Sequence, residues 1–278
     1  MESFTVSGHR GVPLRGDAAG DGDAPCVILL HGGGQTRHAW AGAFAELAAA
    51  GYRVLSYDAR GHGDSGWADD GDYSSDASIA DLHAVAATLN SRPAVVGASM
   101  GGIAGLMAIG ESEQPWSGPL VLVDVAPKVE RAGIAHIHQF MSANLDGFDN
   151  LEAVADAVAA YNPDRPRPRD TSGLMKNLRR GESGRLYWHW DPRLLDTRFD
   201  EHLAYLAPFE ARMEAAARRL TVPSLLIRGG HSDVVSPEGV AAFRALVPRA
   251  EVVDIAEAGH MVAGDRNDAF NAVMEMVT

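Results

Sequence analysis

The chain has 278 residues, 46% of them hydrophobic and 22% charged, enough for one large core without a second independent domain. Lys and Arg number 24 against 37 Asp and Glu, a formal net charge of -13, which excludes attraction to a phosphate backbone as a general binding force. The single cysteine, Cys26, cannot close an intramolecular disulfide, and no run of eighteen apolar residues offers a membrane span. Met1–Arg10 lacks a basic start followed by an apolar stretch, so the expectation is a cytoplasmic monomer or homodimer with neither nucleic acid nor membrane as partner.

In chain order, Phe4–Val6 and Val12–Leu14 predict a short antiparallel start, with Gly16 to Pro25 as a turn-rich connection. Strand-like apolar runs follow at Cys26–Leu30, Tyr52–Tyr57, Ala94–Val96, Leu120–Val123, Ser224–Ile227 and Val252–Ile255. Helical spacing separates them at Phe44–Ala50, Ile79–Leu89, Ile103–Ile109 and Gly239–Leu246, and returns at Ala269–Met276. This alternation predicts an α/β architecture, a mostly parallel sheet with helices on both faces. It stops between Ala126 and Leu220, where helical patterns and the Pro-Arg stretch Asn162–Asp170 appear and no strand is evident. The expected organisation is a core of residues 1–126 and 221–278, with 127–220 as a helical cap that includes the last connecting helix.

The chemistry begins at Gly97-Ala-Ser99-Met100-Gly101, between an apolar strand and a helix rich in small residues. A serine at such a turn is forced into a strained conformation that exposes its hydroxyl, and glycines two residues either side remove collisions with neighbouring elements. Read alone, the pentapeptide is equally a glycine-rich corner. The rest of the chain decides, because Ser99 needs a base, an acid and donors for a developing oxyanion. His260, in Ala258-Gly-His-Met261 after the last strand, is the candidate base, although any one of eleven histidines is ordinarily a surface or hydrogen-bonded group. Asp233, following the strand that ends near Ile227, is favoured as the acid over Asp124, which ends the strand Leu120–Val123. His31-Gly32-Gly33-Gly34 follows another strand, so that the amides of Gly33 and Met100 could converge on the oxyanion; His31 itself reads as structural.

Leu30-His-Gly-Gly-Gly34, Asp58-Ala-Arg-Gly-His-Gly-Asp-Ser65, the Ser99 pentapeptide, the Asp233 loop and Gly259-His260 together resemble the α/β-hydrolase superfamily, in its esterase, lactonase and cofactor-free haloperoxidase-like branch. The resemblance covers residues 26 to 124 and about 221 to 278, and leaves the cap uncovered. It implies an eight-stranded sheet, a helical cap after the sixth strand, and hydrolysis through an acyl-enzyme without metal or organic cofactor. Serine at the elbow and Met261 after the base depart from the epoxide hydrolase, dehalogenase and carbon–carbon-cleaving relatives, favouring an ester or lactone substrate. The same scaffold carries two alternatives: perhydrolase or haloperoxidase-type activity, and a slow-turnover ligand receptor.

The pocket is expected between core and cap, with Gly32, Gly34, Phe140, Trp188, Trp190 and Met261 around it; Met141, Leu145, Phe148 and Tyr187 are further wall candidates. One ring of Trp188-His189-Trp190 is expected to face the acyl group. Residues 161 to 198 hold nine Lys or Arg against five Asp or Glu, a basic rim suited to a monoester that keeps a free carboxylate, or else a solvated surface.

Overall fold

The antiparallel start runs further than its apolar residues suggest. In the computed structural model, which describes residues 1–163, 167, 169–195, 199–256 and 259 (199–204 without side chains), β1 (Glu2–Ser7) pairs with β2 (Pro13–Ala19). Gly16 is therefore in a strand and not in the expected connection. It faces Phe4, whose ring lies 2.4 Å from where a Cβ would stand, and it pairs with Tyr57 of β4 (Arg53–Tyr57). Tertiary pairing overrides the weak strand propensity of Arg15-Gly-Asp-Ala-Ala19.

The other main strands are β3 (Cys26–Leu30), β5 (Ala94–Ala98), β6 (Leu120–Val123), β9 (Ser224–Gly229) and β10 (Glu251–Ile255). Eight strands form one sheet in the order β1-β2-β4-β3-β5-β6-β9-β10, parallel from β4 onward. β3 and β5 are buried at every residue, as apolar runs must be in a sheet covered on both faces. One face packs under α2 (Ser75–Ala86), α3 (Met100–Gly110), α6 (Phe199–Arg218) and α7 (Pro237–Leu246); the other holds Leu47 of α1 (Ala41–Ala49) and Trp40. Ser74 and Ser236 cap α2 and α7 by accepting from the amides of Ala77 and Gly239. The predicted helix Ala269–Met276 lies outside the described residues.

Between β6 and β9 come α4 (Arg131–Ser142) and α5 (Leu151–Tyr161), then a hairpin of β7 (Leu178–Arg180) and β8 (Leu186–Trp188). The stretch expected to form a helical cap is thus not wholly helical. Its own core joins Met141, Phe148, Val154, Leu178, Leu186, Trp188 and Trp190. The C-terminal part of α6 belongs instead to the main core, where Met213, Ala216 and Ala217 are buried and the Ala216 carbonyl lies directly against Gly110 of α3.

Candidate active site

Ser99 stands between β5 and α3 at φ 44°, ψ -115°, a conformation that costs a non-glycine residue about 1–3 kcal/mol. The packing that imposes it is visible in the flanking glycines. A Cβ on Gly97 would meet the backbone of Gly101 and Gly102 at 2.5–2.6 Å, and one on Gly101 would meet Leu30 and the His31 carbonyl at 2.6–2.7 Å. The Ser99 amide donates to the Val123 carbonyl at 3.1 Å, pinning the elbow to the end of β6. Met100 opens α3, so its amide has no partner within the helix and sits at the positive end of the helix dipole.

The facing loop, His31 to Gly34, is held almost peptide by peptide. The Gly32 amide donates to Gln35 Oε1 at 3.0 Å, the Gly32 carbonyl accepts from His31 Nδ1 at 2.8 Å, and the Gly34 amide donates to His62 Nε2 at 3.2 Å. Gly32 lies close to Ser99, with 3.5 Å between its would-be Cβ and the serine Cβ. The Gly33 amide, between two engaged neighbours, has no such acceptor among the described residues. An amide without an acceptor is a precondition for an oxyanion donor.

The two candidate acids differ sharply. Asp124 follows β6 directly at φ 49° and is fully buried. Its Oδ1 accepts from the Gly229 amide at 2.9 Å and its Oδ2 from the Ser232 hydroxyl at 2.6 Å, while its own amide donates to the Ile227 carbonyl at 2.7 Å. Asp233 has a side chain 46% exposed, and its Oδ2 takes His136 Nδ1 of α4 at 3.0 Å. The sequence favours Asp233, and the groups that distinguish the two in the fold, Ser232 and His136, come from segments remote from Asp124 and Asp233 respectively. His260 and Met261 lie outside the described residues. The chain leading to them leaves the sheet beside the same loop, where Gly230 donates to the Ile255 carbonyl at 2.8 Å.

Residues of the stretch between β6 and β9 reach the loop. Met141 places its sulfur 3.9 Å from the Cβ position of Gly33 and its methyl 3.6 Å from that of Gly34, where Trp190 approaches to 3.3 Å. Trp188 and Trp190 stack with centroids 4.9 Å apart and are 6% and 1% exposed, so both are built into the cap core. Phe140 packs on Trp188 at 5.5 Å and stacks on Tyr161 at 4.3 Å. Among the described residues, several cations of the basic stretch are engaged. Arg167 pairs with Glu152 and Asp156, Arg185 with Asp149 and Arg193 with Asp191, while Arg179 lies 5.4 Å from the centroid of the Trp67 ring and 4.9 Å from that of Tyr187.

A sheet of this order, with a strained serine between its fifth strand and the following helix, defines a hydrolase of the α/β class. The sequence profile of the Alpha/beta hydrolase family matches residues 27–273, and the chain belongs to that family. It is 30% identical over 268 residues to Esterase Rv0045c of Mycobacterium tuberculosis, covering 92% of this chain and 83% of that protein. It is 32% identical over 275 residues to the sn-1-specific diacylglycerol lipase ABHD11 of Mus musculus, covering 93% and 82%. Among solved structures, E-2-(acetamidomethylene)succinate hydrolase superposes with a TM-score of 0.85 at 20% identity over 99% of this chain and 98% of that one, a likeness of fold.

Proposed function

We propose that the protein hydrolyses carboxylic esters or lactones through an acyl-enzyme on Ser99. The observation that carries this reading is the elbow serine at φ 44° facing a loop in which the Gly33 amide, among the described residues, meets no acceptor while its neighbours are engaged. Relatives at 30% and 32% identity are named an esterase and a diacylglycerol lipase.

In the proposed mechanism Ser99 Oγ attacks the carbonyl carbon while His260 accepts its proton, and the Gly33 and Met100 amides receive the oxyanion. Collapse expels the alcohol, which takes the proton from His260. Water then attacks the acyl-serine with His260 again as base, releasing the acid and restoring the serine hydroxyl. We assign the role of orienting His260 to Asp124 in preference to Asp233. Its carboxylate is buried beside the strand that carries Ser99 and held by two donors, whereas Asp233 is half exposed and turned to His136. Met141 and Phe140, with Gly32 and Gly34 below, form the proposed acyl wall. The ion pairs of the basic stretch favour an uncharged ester over a half-acid.

The reading is tested with p-nitrophenyl esters and a fluorophosphonate. Turnover and labelling are expected in the wild-type protein and absent in Ser99→Ala; turnover that survives in Ser99→Ala contradicts it.

A further inference from the structure

Three buried imidazoles stand in a row beneath the oxyanion loop. His31 and His62 have ring centroids 5.2 Å apart, and His62 and His189 5.9 Å; the three are 2%, 1% and 4% exposed. Hydrogen bonding fixes a tautomer for each of the first two. His31 donates through Nδ1 to the Gly32 carbonyl and accepts the Ala59 amide on Nε2 at 2.9 Å. His62 donates through Nδ1 to the Arg60 carbonyl at 3.0 Å, which leaves Nε2 as the acceptor for the Gly34 amide. His189, from the cap strand end, accepts the amide of Gly63 on Nδ1 at 2.6 Å, one residue beyond His62.

The row thus couples three segments: the oxyanion loop, the 58–65 loop after β4, and the cap hairpin. The middle segment is rigidly set. Arg60 donates to both oxygens of Asp81 at 2.6 and 2.7 Å, with both side chains 3% exposed, and Arg37 binds Asp58. Burial first, then the neighbouring rings, hold His62 well below the usual imidazole range. The Nε2 lone pair is therefore present at neutral pH.

We propose that His62 and His189 are positioning residues of the oxyanion hole. By accepting the Gly34 and Gly63 amides they fix the peptide beyond Gly33, so that of the amides of this loop the Gly33 N–H is the one presented to the reacting carbonyl, and they make that geometry depend on a seated cap. This rests on the hydrolytic reading above. Neither side chain touches the reacting atoms; each acts through the backbone it holds.

The test uses the positions of the acceptors. Glutamine carries a carbonyl oxygen to the place of Nε2, and asparagine to the place of Nδ1. At position 62 the needed acceptor is Nε2, so His62→Gln should retain function and His62→Asn lose it. At position 189 it is Nδ1, and the order reverses: His189→Asn retains and His189→Gln loses. For the deficient variants, kcat/KM on p-nitrophenyl butyrate is expected to fall about 10- to 100-fold. Inhibition by a boronic acid, whose serine adduct places a B–O⁻ in the hole, should weaken by the same factor. Affinity for an unreactive amide of the same acyl group should change less than about threefold, and melting should stay cooperative. An equal effect of Gln and Asn at both positions overturns the proposal, as does boronate affinity that fails to track kcat/KM. Turnover in Ser99→Ala brings down the underlying reading instead, so the two failures are distinguishable.

Discussion

Asp124 and Asp233 follow neighbouring strands, Asp233 in the loop beyond β9, yet they are chemically unlike: one is a buried carboxylate with two fixed donors, the other a half-exposed carboxylate paired with His136. Asp124→Asn should lower kcat by about 10³–10⁴, the cost of losing the group that sets the imidazole tautomer, while Asp233→Asn should cost less than about tenfold; steady-state kinetics of the two variants decides the assignment. The buried histidines make a separate prediction. Burial, then the neighbouring His31, lowers His189 to about 4 from 6.5, and His31 and His62 are lowered by burial in the same direction. The unfolded chain then binds protons that the folded one refuses, so stability present above pH 6.5 is lost as pH falls toward 4, with His189 contributing about 3 kcal/mol. A melting temperature that drops steeply over that interval, and less steeply in His189→Asn, is the expected outcome. Ser99 was legible in the sequence because its turn demands glycine two residues either side. The environments of the two aspartates were not, because they depend on a hydroxyl at Ser232 and an imidazole at His136 that only folding brings into place.

At the scale of elements, β3, β5 and β6 could be read directly, since strands buried on both faces must be apolar throughout. β7 and β8 could not. Three-residue strands carry too few positions for a period, and the one available signal was the turn Gly181-Glu-Ser-Gly184 between Leu178 and Leu186-Tyr-Trp188, with Gly184 at φ 82°. The far half of β2 was hidden for a different reason: Gly16 to Ala19 are strand because β1 and β4 flank them. Small residues have a second use in α3, whose end approaches the backbone of α6 at Gly110 and Ala216. Gly110→Ala should therefore destabilise by about 2 kcal/mol despite its better helix propensity, measurable by urea unfolding. Unchanged stability would show that α3 and α6 can separate at no cost.

Across the whole molecule the cap is fastened unequally at its two ends. At the hairpin end, the Asp191 amide donates to the Gly61 carbonyl at 2.9 Å, the Tyr73 hydroxyl donates to the Asp191 carboxylate, and His189 takes the Gly63 amide. At the α4 end, the Glu130 amide donates to the Val234 carbonyl at 2.9 Å, and the His136–Asp233 pair has side chains 43% and 46% exposed. Exposed pairs contribute little, about 0–1 kcal/mol, so opening should begin at α4. Amide exchange is expected to be faster over 136–143 than over 186–191, and the reverse order would place the entrance at the hairpin. Phe140→Ala should shift the preferred acyl length with little change in the kcat of the best substrate, as read from a p-nitrophenyl ester series.

The proposed mechanism passes through a covalent acyl group on Ser99. Rapid-quench mass spectrometry during turnover of a p-nitrophenyl ester tests it most directly. The predicted result is a transient mass increase equal to the acyl group, mapped to the peptide containing Ser99 and absent in Ser99→Ala. Full turnover with no adduct at any time, or an adduct on another residue, would contradict it.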